Sequence, residues 1–219
     1  MSFPIYLRID LDKLKIYNVV CSGAHEECPW LASVVSACFP ESLFISQWML
    51  LISSSDFPVS PLGLIHIRQS IKVYQRPSEI LESKFDLKSV VSDVRCEDKG
   101  VEVDIKSQLY LRSTETCIWE GTATLLSRSK EVINKQKQPK EQVDQGSNNN
   151  LEATSKSSYE IFGWKRFHVD GDTGLKYAKA THDYNPHHLY PKTAQLLGYD
   201  QPIAHGLWTL QRSLNIVKG

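Results

Sequence analysis

The run Asp183-Tyr184-Asn185-Pro186-His187-His188, followed by Pro202-Ile203-Ala204-His205-Gly206, is the most informative part of this 219-residue chain. Pro186 fixes its own φ and biases Asn185 toward extended backbone. The Asn185 amide favours a turn by bonding to nearby backbone. Asp183 and His188 are therefore expected on either side of a rigid elbow, where both side chains can face one cavity. A carboxylate beside an imidazole orients it and tunes its pKa. Such a pair can hold a water and move its protons. Local chemistry alone leaves three readings open. One is this proton-transfer pair. Another is a surface turn of ordinary polar residues. The third is a metal site built from Asp183, His187, His188 and His205, although the chain offers no dense Cys/His spacing to support it.

Downstream, Gly206 to Val217 reads as a helix, with Leu207, Leu210, Leu214 and Val217 on one face at helical spacing. Gly206 would sit in its first turn, where backbone N–H groups lack partners and the dipole is positive. A residue without a Cβ lets a ligand oxygen approach that backbone, which is how an oxyanion site is made. The alternative is a glycine that relieves packing at a helix start.

Bulk composition excludes some classes. Lys plus Arg and Asp plus Glu are both 25, so no net charge points to nucleic acid or a membrane surface. Hydrophobic residues make up 41%, enough for a packed core. The five cysteines are odd in number and lack CxxC spacing, so they read as reduced thiols of a cytosol-like, cytoplasmic setting. No basic stretch followed by an apolar run opens the chain, so no signal peptide is expected. The most apolar stretch, Leu43 to Ile52, is interrupted by Ser46 and Gln47 and is too short to span a bilayer.

That stretch predicts instead a helix over Ser42–Ile52, apolar nearly all round and hence buried. Strand-like runs follow it. Ile65, Ile67, Ile71 and Val73 alternate, with Gln69 breaking the series; Phe85, Leu87 and Val91 follow, with Ser89 between. Val101, Val103 and Ile105 alternate against charged neighbours, and Cys117, Trp119, Ala123 and Leu125 alternate again. One buried helix followed by about four antiparallel strands predicts an α+β unit, a sheet wrapped around a helix.

Taken in order, the elbow at Asp183–His188, Ala194-x-x-x-Gly198 and Pro202-Ile-Ala-His-Gly206-Leu-Trp208 closely resemble the motif of the MaoC-like hydratases and dehydratases. That family includes the (R)-specific enoyl-CoA hydratases and has the hotdog fold. The resemblance implies that Asp183 and His188 are the catalytic pair, that Asn185 holds the elbow, and that the Gly206 amide polarises a thioester carbonyl. It implies reversible hydration of trans-2-enoyl thioesters, carried on coenzyme A or acyl carrier protein, with no metal or redox cofactor, as part of fatty acid metabolism. The chain departs from the motif twice: His182 stands where the family has glycine, and His187 where it has an aliphatic residue. Two other functions remain open beside this one, a non-catalytic subunit that binds acyl thioesters or a partner chain, and a hotdog thioesterase.

The same resemblance points to the double-hotdog branch. Residues 1–128 would form a first unit without the catalytic motif, and 159–219 a partial second unit carrying it. Between them, 129–158 holds few apolar residues and runs of Lys, Gln, Asn and Ser, the composition of a flexible linker. In the second unit Phe162–Val169 reads as a strand and Asp172 as the cap of a short helix. Only thirteen residues follow Gly206, so the strands of a complete second sheet are expected to be missing. An uncovered apolar helix face predicts docking onto the first unit's sheet, a homo-oligomer, or a partner chain.

Overall fold

This computed structural model describes residues 9–22, 36–75, 83–128, 166 and 168–218. The expected linker, 129–158, lies outside the described residues. So does most of the strand expected over Phe162–Val169, of which residues 166, 168 and 169 are described, in irregular backbone.

Four strands, β1 (Ile65–Val73), β2 (Phe85–Glu97), β3 (Gly100–Leu111) and β4 (Thr116–Arg128), make an antiparallel sheet in the order β1-β4-β3-β2. Each arises where alternation was legible. Along β3, Val103, Ile105, Ser107 and Leu109 are buried, and the intervening residues are half-buried. The outward positions carry charge. Arg95 pairs with Asp104 at 2.8 Å and Glu102 at 3.2 Å, and Lys106 meets Glu120 at 2.9 Å. One face is therefore packed and the other solvated, as cross-strand pairing on an antiparallel sheet allows.

The packed face receives two short helices, α2 (Phe39–Ser42) and α3 (Ile45–Ile52), separated by a turn at Leu43 and Phe44. The expected single helix is thus interrupted, and it is not buried all round. Phe44, Ile45 and Trp48 face the sheet, while Met49 and Leu50 are 59% and 62% exposed. Phe44 stacks on Trp119 with ring centroids 5.8 Å apart. Several polar groups at this interface are paired. Trp48 Nε1 donates to Ser107 Oγ at 2.9 Å, and Gln47 donates to the Leu87 carbonyl while accepting from Ser89.

An additional helix, α1 (Leu11–Ser22), was not expected. Its signals are present: Asp10 Oδ1 accepts from the backbone N–H groups of Asp12 and Lys13, an N-cap arrangement, and Leu14, Tyr17 and Cys21 form one buried stripe. Three further helices follow the sheet, α4 (Thr173–Thr181), α5 (Pro191–Leu196) and α6 (Gly206–Lys218). Asp172 precedes α4 as expected but makes no capping hydrogen bond; its carboxylate pairs with Lys176 at 3.0 Å.

Helix α6 docks inside the chain, against α1 and β1. The buried side chains are Leu207, Trp208 and Gln211; Leu210 and Leu214, expected on that face, are only half-buried, and the Val217 side chain lies outside the described set. The docking satisfies a helix end. The carbonyls of Val20, Cys21 and Ser22, at the C-terminus of α1, accept hydrogen bonds from Trp208, Asn215 and Arg212 respectively. Terminal helix carbonyls have no intrahelical partner, and the Arg212 charge suits the negative end of the dipole. Burying Leu207 and Trp208 adds about 1.5–3 kcal/mol each.

Candidate active site

The site is assembled where α4 ends. His182 closes α4 in the left-handed region, at φ 63°. That conformation favours glycine and explains why the related motif has one there. Lys13 of α1 donates to His182 Nε2 at 2.6 Å, which anchors the unusual residue. The chain then turns at Asn185, whose extended backbone (φ −60°, ψ 120°) is what a following proline demands. The Asn185 N–H points to Asp183 Oδ1 at 3.4 Å. Pro186–His188 form a single 3₁₀ turn.

The elbow is zipped to the strand-like segment before α6. His188 Nδ1–H donates to the Ile203 carbonyl at 2.7 Å, and the Ile203 N–H donates to the His187 carbonyl at 3.3 Å. A carbonyl can only accept, so this contact fixes the His188 tautomer and leaves Nε2 with its lone pair. Burial lowers the His188 pKa below its usual 6.5, partly opposed by the Ile203 contact and by the Asp183 charge. The imidazole is a neutral base at neutral pH.

His188 sits within a stack. Its ring lies 4.0 Å from that of His187 and 3.9 Å from that of His205. His205 continues to Tyr177 on α4 at 4.7 Å, and Tyr177 to Tyr17 on α1 at 5.8 Å. His187 and His205 are 3% and 2% exposed, and burial pushes both down to about 4, so neither carries charge at neutral pH. His205 Nε2–H donates to the Asp183 carbonyl at 3.0 Å and stands 3.9 Å from its carboxylate. It braces the backbone of the acid. Gly174 adds a second brace: a Cβ there would lie 2.2 Å from the His188 carbonyl oxygen, so α4 can press on the elbow only with glycine at this position.

Gly206 is exposed and opens α6. A Cβ on it would meet nothing closer than His66 Nδ1 at 3.5 Å, an ordinary contact. Packing does not require this glycine. His66 itself was missed by sequence reading. It comes from β1, where the register slips between His66 and Arg68 and leaves Ile67 as the extra residue, 42% exposed. Bulges of this kind re-aim side chains. The visible signal was the break in alternation at Gln69, which points inward and donates to Glu41 at 2.8 Å.

Asp183, His188 and Gly206 are thus gathered at one seam, with Asn185 shaping the elbow beside them. An acid and a neutral imidazole stand near the N-terminus of α6, on an antiparallel sheet with a packed helix. Residues 154–217 match the MaoC like domain. The chain is 28% identical over 156 residues to the peroxisomal enoyl-CoA hydratase 2 of Arabidopsis thaliana, covering 70% of this chain and 48% of that one. It is 23% identical over 171 residues to 3-hydroxyacyl-thioester dehydratase X of Mycobacterium tuberculosis, covering 78% and 55%. The chain spans about half the length of these two relatives. The crystal structure of HtdX from Mycobacterium tuberculosis superposes with a TM-score of 0.72 at 19% identity, covering all of this chain and 78% of that one. Residues 154–217 are thus similar to the MaoC like domain, and the described chain shares its fold with HtdX.

Proposed function

We propose that this chain adds water reversibly across trans-2-enoyl thioesters to give 3-hydroxyacyl thioesters. The observation that carries the reading is the His188 tautomer: Nδ1–H is held by the Ile203 carbonyl, so Nε2 keeps its lone pair, and the Asp183 charge acts on the same ring. His188 Nε2 and Asp183 hold one water between them. As its oxygen bonds to C3, the pair removes one proton and returns it to C2, so no proton is gained or lost overall. In between, charge on the thioester oxygen is met by the Gly206 N–H at the positive end of α6. Asn185 keeps the elbow in shape.

In this reading residues 1–128 form the non-catalytic first unit, 129–158 a linker, and 159–219 the unit that carries the motif. The substrate is carried on coenzyme A or acyl carrier protein. The test is loss of the conjugated enoyl absorbance when the protein meets a short and a long trans-2-enoyl-CoA. Asp183→Asn and His188→Ala should each slow the reaction by roughly 100- to 10,000-fold, and His187→Ala by much less. Gly206→Ala should fold normally, since its Cβ has room, yet lose activity. Release of free thiol without hydration would make the protein a thioesterase, and no reaction with either thioester would make it a binding subunit.

A further inference from the structure

His66 is a residue of the first unit placed against the catalytic seam of the second. Its Nε2–H donates to the Arg68 carbonyl at 3.0 Å. A carbonyl fixes the tautomer here too, so Nδ1 presents a lone pair. That atom lies 3.5 Å from the place a Cβ would take on Gly206, the residue whose N–H is assigned to the thioester oxygen. The ring is not loosely held. It meets Trp48 edge-on with centroids 6.4 Å apart, and Gln69, the next inward residue of β1, is tied to Glu41. Burial lowers the pKa of His66, against smaller opposite effects of the Arg68 carbonyl, the Gln69 side chain and the Asp183 charge.

An acceptor beside the carbonyl site calls for a donor on the ligand. The thioester oxygen is itself an acceptor and would be repelled. An enoyl thioester has no donor on its reacting side, and the 3-hydroxyl formed there belongs to Asp183 and His188. One donor remains near the carbonyl: the amide N–H of the β-aminoethanethiol arm, which lies just beyond the sulfur and an ethylene link and is shared by coenzyme A and acyl carrier protein. Resting on the hydratase reading, we propose that His66 is a substrate-positioning residue whose Nδ1 accepts the hydrogen bond of that amide. The first unit thereby holds the carrier arm while the second holds the acyl group.

The test uses the trans-2-enoyl thioester of N-acetylcysteamine and its N-methyl counterpart, which lacks the N–H. The wild-type chain should prefer the N–H thioester by about 5- to 10-fold in kcat/KM, the worth of one neutral hydrogen bond. The preference should lie in KM and vanish in His66→Phe, while the pH profile of kcat stays in place. His66→Asn keeps an acceptor near the Nδ1 position and should restore part of it. Loss in His66→Phe on both enoyl-CoA and enoyl acyl carrier protein supports the shared contact, and the wild-type ratio between them shows which carrier the chain favours. Wild-type hydration with no preference between the two cysteamine thioesters overturns the inference alone, whether or not either variant folds. So does a preference that survives in His66→Phe. Absence of hydration by the wild type on every thioester overturns the hydratase reading and this inference with it.

Discussion

Glu41 offers a sharp test of the packing between sheet and helix. It is fully buried, accepts a hydrogen bond from Gln69, and leaves Oε1 without a partner among the described residues. Gly121 of β4 lies against it so closely that a Cβ there would be 2.2 Å from Oε2. Burial raises the Glu41 pKa from 4.5 to about 8, against a smaller opposite effect of the hydrogen bond from Gln69. The folded chain therefore holds a proton that the unfolded chain releases near pH 4.5. Stability from this group is complete below that pH, falls as pH rises, and is gone above about 8. At about 1.4 kcal/mol per pH unit the loss is on the order of 5 kcal/mol.

Glu41→Gln removes the titration and keeps the shape. The new side-chain oxygen can accept from Gln69, and the amide nitrogen falls at the unpartnered position, a cost that does not vary with pH. His187 and His205 work in the opposite sense. Their lowered pKa values add stability above pH 6.5 that is lost as pH falls toward 4, but they are common to both proteins and cancel in the difference. Urea unfolding of both chains from about pH 5.5 to pH 8 should show the wild type losing about 3 kcal/mol relative to the variant. Parallel curves across that range would refute the reasoning and place Glu41 in contact with water.

The remaining predictions concern the elbow. His182→Gly relieves a left-handed residue at φ 63° and should raise unfolding free energy by roughly 0.5–1 kcal/mol, net of the lost Lys13 contact; a drop in the urea midpoint would show that the Lys13 contact outweighs backbone strain. Gly174→Ala must move the His188 carbonyl by enough to relieve a 2.2 Å contact, so hydration should fall roughly 100-fold, as for other small misplacements of reacting groups. Wild-type kinetics for this variant would separate α4 from the elbow. The acidic limb of kcat/KM should have its midpoint below pH 6.5, because buried His188 is neutral above its lowered pKa and active only in that form; a midpoint above 6.5 would show the ring to be solvated or stabilised as a cation.

The sheet was legible because its strands obey a single period. Val103 and Ile105 face inward while Glu102, Asp104 and Lys106 pair outside, and no competing pattern masks them. The helix over Ser42–Ile52 was misjudged for the opposite reason. Apolar residues all round give no face, so periodicity could not show that Met49 and Leu50 stay exposed or that the helix breaks at Leu43 and Phe44. For α6 the expected aliphatic stripe holds at Leu207 but gives way to Trp208 and Gln211 beyond it. Trp208 is drawn inward by its bond to the Val20 carbonyl at the end of α1, and no pattern within α6 itself records that acceptor.

The elbow was legible because its chemistry is local. Asn-Pro sets the turn, and the separation of Asp183 from His188 follows from it. What makes the pair a chemical site was not local. The His188 tautomer depends on the Ile203 carbonyl, fifteen residues on, and the acid depends on His205, twenty-two residues on. The imidazole of His187, which breaks the related motif, fits because it is buried as a neutral ring against His188. His66 was hidden most deeply, since a bulge in β1 turns it toward Gly206 across more than half of the chain. Residues that do chemistry can be read from their own neighbours, whereas residues that hold them in one protonation state belong to elements that meet only after folding. The segments before and within the sheet therefore reach the elbow through a few aimed groups, Lys13, Tyr17 and His66, and substitutions at those positions should change the site without touching the motif.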